Sequence, residues 1–122
     1  MDQDFNLKIA DFGFAALLAG RDGSGTMRTH LGTVGFKAPE IEDGKEYSGA
    51  EVDIFAAAVM LFIMMTQHPP FASSKLDDPY YKCIRHGRAD IFWRSHQRTK
   101  AVNFFSEHFI NLFTRLIAAD PQ

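Results

Sequence analysis

From Ile54 to Met65 the chain runs twelve residues without a polar side chain. As an α-helix that run is about 18 Å long, short of the roughly 20 residues a bilayer span needs. Its apolar side chains point in every direction around the axis, so it is stable in water only where other elements surround it. The flanks fit a helix: Ser48-Gly49-Ala50-Glu51 has capping-box spacing, the serine hydroxyl reaching the Glu51 amide and the Glu51 carboxylate reaching back. Pro69-Pro70 stops the helix at about Gln67. The pattern predicts a buried central helix over 48–67, in which each buried Leu, Ile, Phe or Met contributes roughly 1.5–3 kcal/mol. Met60, Met64 and Met65 read as gap-filling side chains of that core.

Other elements follow from their own chemistry. Phe5, Leu7 and Ile9 alternate with Asn6, Lys8 and Ala10, which predicts a strand within 1–10, broken by Gly13. Three glycines in the six residues 20–25 predict an open loop. Asp78-Pro79 reads as an N-cap followed by proline at the first helical position, with Gly87 as the stop. Ser106 can cap a last helix whose Phe109, Leu112, Phe113, Leu116 and Ile117 form one apolar stripe, with Phe105 and Ile110 at hydrophobic-staple positions. Phe92-Trp93 reads as an aromatic anchor for a loop between the last two helices. The helical region is expected over 78–118, and the fold class is mainly α.

Composition narrows the classes. A 122-residue chain bounds the count at one domain. Hydrophobic content of 46% beside 23% charged residues is that of a core-forming chain. A formal charge of -2 and a pI near 6.2 argue against a nucleic-acid partner. Neither a secretory signal nor a membrane segment is expected. The single cysteine, Cys83, leaves no intrachain disulfide and favours a reducing compartment, so the expected location is cytoplasmic, with the nucleus as the alternative. Cys83, His86, His96 and His108 include only one close pair with zinc-ligand spacing, and read as ordinary helix and loop residues.

The chemistry-bearing residues are Asp11-Phe12-Gly13 and, beyond a polar segment, Ala38-Pro39-Glu40. A carboxylate with glycine two residues on can approach a metal unobstructed, and magnesium takes one or two carboxylates with phosphate oxygens and water. Taken singly, Asp11 is also what a turn before glycine prefers. Together, "LKIADFGFA…THLGTVGFKAPE" resembles the activation segment of eukaryotic protein kinases, and the resemblance extends over essentially the whole chain as the second half of a kinase helical lobe.

That resemblance implies ATP and Mg²⁺ as cofactors, with Ala10 and Asp11 at the nucleotide, Asp11 as metal ligand, and Phe12 and Gly13 setting its position. It makes 11–40 the activation segment, with Thr29 as its phosphorylation site, filled by an upstream kinase or by autophosphorylation; Ser24 and Thr26 are lesser candidates. Gly32, Thr33 and Phe36 would position a protein substrate, and Gly32-Thr33 favours the serine/threonine class. Phe36 keeps the ring of the commoner tyrosine without its hydroxyl. Glu40 would pair with a buried arginine of the last helical region, and Asp53 would brace the catalytic-loop backbone; both also suit the first turn of a helix. Ile63 stands where kinases selective for basic substrates often place a glutamate, which argues against a strong arginine preference. Ala58 replaces a common glycine of the central helix.

The Gly-rich loop, the strand lysine with its helix glutamate, and the catalytic loop with its Asp and Asn are absent from these residues. No catalytic residue is therefore assigned within 1–122. The chain is expected to be part of a serine/threonine kinase and inactive alone, one side of its central helix facing water. The alternative expectation is a non-catalytic kinase-like interaction module.

Overall fold

The computed structural model describes residues 2–20 and 22–118. Five α-helices carry the fold: α1 (Pro39–Glu42), α2 (Gly49–Thr66), α3 (Pro79–Arg85), α4 (Ala89–Gln97) and α5 (Glu107–Leu116), preceded by one 3-10 turn at Phe12–Phe14. Among the described residues the only strand-like pairing is an isolated antiparallel bridge between Met27 and Tyr47.

Helix α2 is the axis of the molecule, as its sequence demands. Phe55, Ala58, Val59 and Phe62 are buried along one face, on which α5 packs while α4 packs on α3. By length and composition alone α2 would also pass for a membrane-crossing helix; its buried face makes it the core helix of this chain. Phe62 sits in an aromatic nest: the Phe113 ring lies 5.0 Å away, the His96 ring 4.9 Å, and the Phe92, Trp93 and Phe105 rings about 6 Å. Such tilted and edge-on pairs add about 0.5–1.5 kcal/mol each beyond area burial.

The helix ends are closed by specific groups. Ser48 is the N-cap of α2 by backbone position, but its side chain makes no capping bond, so the capping box is not formed. At the other end Gln67 turns left-handed (φ 64°) and returns its amide to Ile63 O at 2.8 Å. The Lys100 ammonium donates to Thr66 O at 3.0 Å, a cation on the negative end of the helix. Ser106 Oγ accepts the Phe109 amide as the N-cap of α5. On that helix Phe109, Phe113 and Ile117 are buried, whereas Leu112 is half exposed.

Two expectations are corrected. The segment between α3 and α5 is a helix, α4, and not a loop: Phe92, Trp93 and His96 face the core at i, i+1 and i+4, while Arg94 and Gln97 hold the outer side. Charged residues interrupt that pattern and hide its period. The strand expected within 1–10 is absent as well. The Asp2 carboxylate accepts the amides of Asp4 and Asn6, Phe5 takes a left-handed φ of 63°, and Phe5, Leu7 and Ile9 are more than 80% exposed. A local carboxylate turn competes with extended backbone, and no described segment offers these residues a ladder.

The open side of α2 presents Asp53, Ile54, Ala57, Met60 and Met64, the exposed flank expected of it.

Candidate functional site

Asp11 lies in the left-handed region (φ 64°, ψ 70°), immediately before the 3-10 turn of Phe12–Phe14. The turn closes by the Ala15 amide bonding to Phe12 O at 3.0 Å. For a residue with a Cβ this backbone is unfavourable, although Asp tolerates it better than most. Its effect is to fold the carboxylate over Gly13, where a Cβ would stand 3.4 Å from Oδ1. Ala10, Asp11 and Phe12 are all exposed, and no hydrogen bond or ion pair engages the Asp11 carboxylate among the described residues. The donor set is one unencumbered carboxylate. That suits a magnesium ion whose other ligands are phosphate oxygens and water; no group of three metal-ligating side chains occurs among the described residues.

Farther along, the segment is pinned to the turn before α2. Met27 and Tyr47 exchange backbone hydrogen bonds of 2.8 and 3.0 Å. The Tyr47 hydroxyl donates to Thr29 O at 2.7 Å, and Arg28 pairs with Glu46. The Met27 methyl covers Gly49, where a Cβ would meet it at 2.8 Å. Thr29 is thus held by its carbonyl while the residue stays exposed. His30 Nδ1 lies 3.1 Å from Ile41 O and ties this stretch to α1.

Gly32, Thr33 and Phe36 come together in one turn, closed by the Phe36 amide on Thr33 O at 3.1 Å. Gly32 (φ 118°) and Gly35 (φ 89°) supply conformations that side chains resist. Thr33 and Val34 project into solvent, whereas Phe36 packs against the core. The turn rests on the segment that links α2 to α3. Gly35 lies against Ala72 O, at 3.4 Å from where its Cβ would be, and buried Ser74 donates to Lys37 O at 2.7 Å. Asp78 organises that backing. One carboxylate oxygen accepts the amides of Tyr80 and Tyr81 at 2.9 Å; the other accepts Ala72 and Ser73 at 2.8 and 3.3 Å.

Glu40 lines a cavity of about 700 Å³ between the turn before α2 and the end of α5, shared with Arg85, Arg115, Leu116 and Ala118. No salt bridge involves Glu40 among the described residues, and Asp53 stands exposed on the open side of α2. Tyr81 has a buried hydroxyl with no partner among the described residues, and burial pushes its pKa up to about 12.

Sequence reasoning found Asp78 as a helix cap and missed its second grip on residues 72 and 73. It also missed Tyr47, Ser74 and the Glu42–Lys75 pair. Their partners lie 18 to 37 residues away in sequence, and no local pattern marks such contacts.

The whole chain, residues 1–122, matches the family model of the protein kinase domain, and the chain belongs to the protein kinase family. CBL-interacting protein kinase 11 of Oryza sativa subsp. japonica is 31% identical over 122 residues, covering 100% of this chain and 22% of that protein. CBL-interacting serine/threonine-protein kinase 10 of Arabidopsis thaliana is 31% identical over 122 residues, 100% of this chain and 23% of that protein. CBL-interacting protein kinase 20 of Oryza sativa subsp. japonica is 34% identical over 116 residues, 95% and 22% of the respective lengths. The chain thus spans less than a quarter of these relatives. Its mainly helical architecture is that of the second half of a kinase helical lobe.

Proposed function

We propose that the protein carrying this chain is a serine/threonine kinase that transfers the γ-phosphoryl group of ATP to hydroxyls of protein substrates. The observation that carries this reading is the turn at Gly32–Lys37, two of whose residues project outward from a backing built by Asp78 and Ser74. It follows, on the same short segment, a free carboxylate at Asp11.

Asp11 would hold Mg²⁺, with Ala10 beside the nucleotide. Bound there, the ion neutralises developing charge on the transferred phosphoryl group. Thr33 and the turn around it orient the acceptor hydroxyl's chain, and Phe36 fixes the turn to the core. Positioning of this kind supplies much of the rate in phosphoryl transfer, where the protein does little covalent chemistry. Thr29 is the switch: its phosphate adds about -1.5 to -2 charge to a segment already held by its backbone. The phosphate comes from an upstream kinase or from autophosphorylation. The names of the relatives extend the reading to a regulatory partner of the CBL type, and we propose a cytoplasmic location, with the nucleus as the alternative.

Phosphotransfer from labelled ATP by the full-length protein tests the proposal. We expect serine or threonine labelling that Asp11→Asn abolishes, and none from the isolated 122-residue chain. Turnover unchanged in Asp11→Asn would overturn the metal assignment. Full activity of Thr29→Ala, with no phosphopeptide recovered there, would overturn the switch.

A further inference from the structure

Glu42, the last residue of α1, carries a carboxylate whose side chain is only 9% exposed. One of its oxygens lies 3.5 Å from the Lys75 ammonium; the other is buried with no hydrogen-bond partner among the described residues. A buried carboxylate with one cationic neighbour depends on that neighbour, because an uncompensated charge in the interior is strongly unfavourable. Lys75 belongs to the segment against which the Gly32–Lys37 turn rests, and it adjoins Ser74, which donates to Lys37 O at 2.7 Å. The turn and α1 are consecutive in the chain. Their two ends are therefore fastened to neighbouring residues of one segment, by Ser74 at Lys37 and by Lys75 at Glu42.

We propose that the Glu42–Lys75 ion pair is a positioning device for the protein substrate, fixing the Gly32–Lys37 turn at the height that presents the acceptor; the inference rests on the kinase reading above. Glu42 and Lys75 touch neither substrate nor nucleotide in this scheme. They act through the turn, so their loss shows in how acceptor peptides are held and not in how phosphate is transferred.

The experiment uses the full-length protein and a serine/threonine peptide selected as acceptor from a positional library. Lys75→Met is expected to raise the peptide KM about tenfold, leaving kcat and the KM for ATP within about twofold, the split that marks lost ground-state and transition-state binding alike. Lys75→Arg restores the peptide KM. Glu42→Leu combined with Lys75→Met removes the stranded charge: it restores the melting temperature lost in Lys75→Met but not the peptide KM. Recovery of both in the double variant would overturn the proposal, since the pair would then serve stability alone. An unmoved peptide KM in Lys75→Met, with normal turnover by the unaltered protein, would overturn the clamp and leave the kinase reading standing. Absence of any phosphotransfer by the unaltered protein would overturn the kinase reading and the clamp with it.

Discussion

Residues 49–117 and residues 2–20 obey opposite rules. The first region contains a packed core: Phe62, Phe92, Phe113 and Ile117 are fully buried, and the indole of Trp93 donates to Thr114 at 3.1 Å. In the second, Phe5, Leu7, Ile9, Phe12, Phe14, Leu17 and Leu18 are all largely exposed. The region with the buried core carries little of the phosphate chemistry, and the segment that carries Asp11 is exposed. Packing and chemistry are segregated along the chain. The open side of α2 also exposes apolar side chains, at Ile54, Met60 and Met64.

The largest test of that contrast is Phe62→Ala. It empties the centre of the aromatic nest, and large-to-small changes at such sites cost about 3–5 kcal/mol. That is comparable to the whole stability of a small domain. Trp93, the sole tryptophan, lies in the same nest and reports the loss directly. Urea titration followed by its fluorescence should show a transition moved to much lower denaturant or missing. A midpoint unchanged within error would mean that the nest does not hold the helices together.

Asp78→Ala comes next. It strips acceptors from four backbone amides at once, those of Ala72, Ser73, Tyr80 and Tyr81. Loss of a helix cap costs about 1 kcal/mol, and stranded donors on the other oxygen bring the total to about 2–3 kcal/mol. Asp78→Asn should recover roughly half, because its amide oxygen still accepts from α3 while its nitrogen cannot accept from residues 72 and 73. Equal losses in the two variants would show that the cap contributes little, whereas full recovery in Asp78→Asn would show that only the cap matters.

The two regions also differ in how legible they were. The apolar run at 54–65, the Asp78-Pro79 and Ser106 caps and the stripe on α5 are local signals, and each became a helix. Helix α4 was hidden because its inward residues, Phe92, Trp93 and His96, are adjacent or four apart among charged neighbours, and read as a lone anchor. The alternation of Phe5, Leu7 and Ile9 was a true strand pattern without a strand, since pairing is a property of two segments and the pattern lies in one. At the candidate site, Asp11, Thr33 and Glu40 were singled out by motif. Tyr47, Ser74 and Lys75, which hold those stretches in place, act across folded distance and left no mark in local spacing.

A smaller effect separates the core from its own polar inclusions. His96 is buried against Phe62 and Phe92, stacks on His68, and lies 3.0 Å from Pro70 O through Nε2. Burial holds its pKa below the ordinary histidine value, against the opposing pull of that carbonyl, and His68 and Lys100 push the same way as burial. The unfolded chain therefore takes up a proton near pH 6.5 that the folded chain refuses until lower pH. Unfolding gains a proton in that window, so stability is complete above about pH 6.5 and falls as the pH drops below it, by at most about 1.4 kcal/mol per unit. His96→Leu should flatten this slope whatever it costs at pH 8. An unchanged slope would assign the acid sensitivity to other histidines.

The smallest expected effect falls on the other side of the contrast. Phe12 is 69% exposed, next to the strained backbone of Asp11, with nothing of the core against it. Phe12→Ala in this chain should change the stability read from urea titration by no more than about 0.5 kcal/mol, as surface substitutions do. On the proposed function, the same change in the full-length protein should lower kcat by about tenfold or more, because the ring would set the position of a metal-holding carboxylate. One substitution, silent in the part and costly in the whole, would show that the residues around Asp11 take their order from outside this chain. A loss above about 1 kcal/mol in the isolated chain would place Phe12 inside its own packing, and the division between a buried core and an exposed chemical segment would fail.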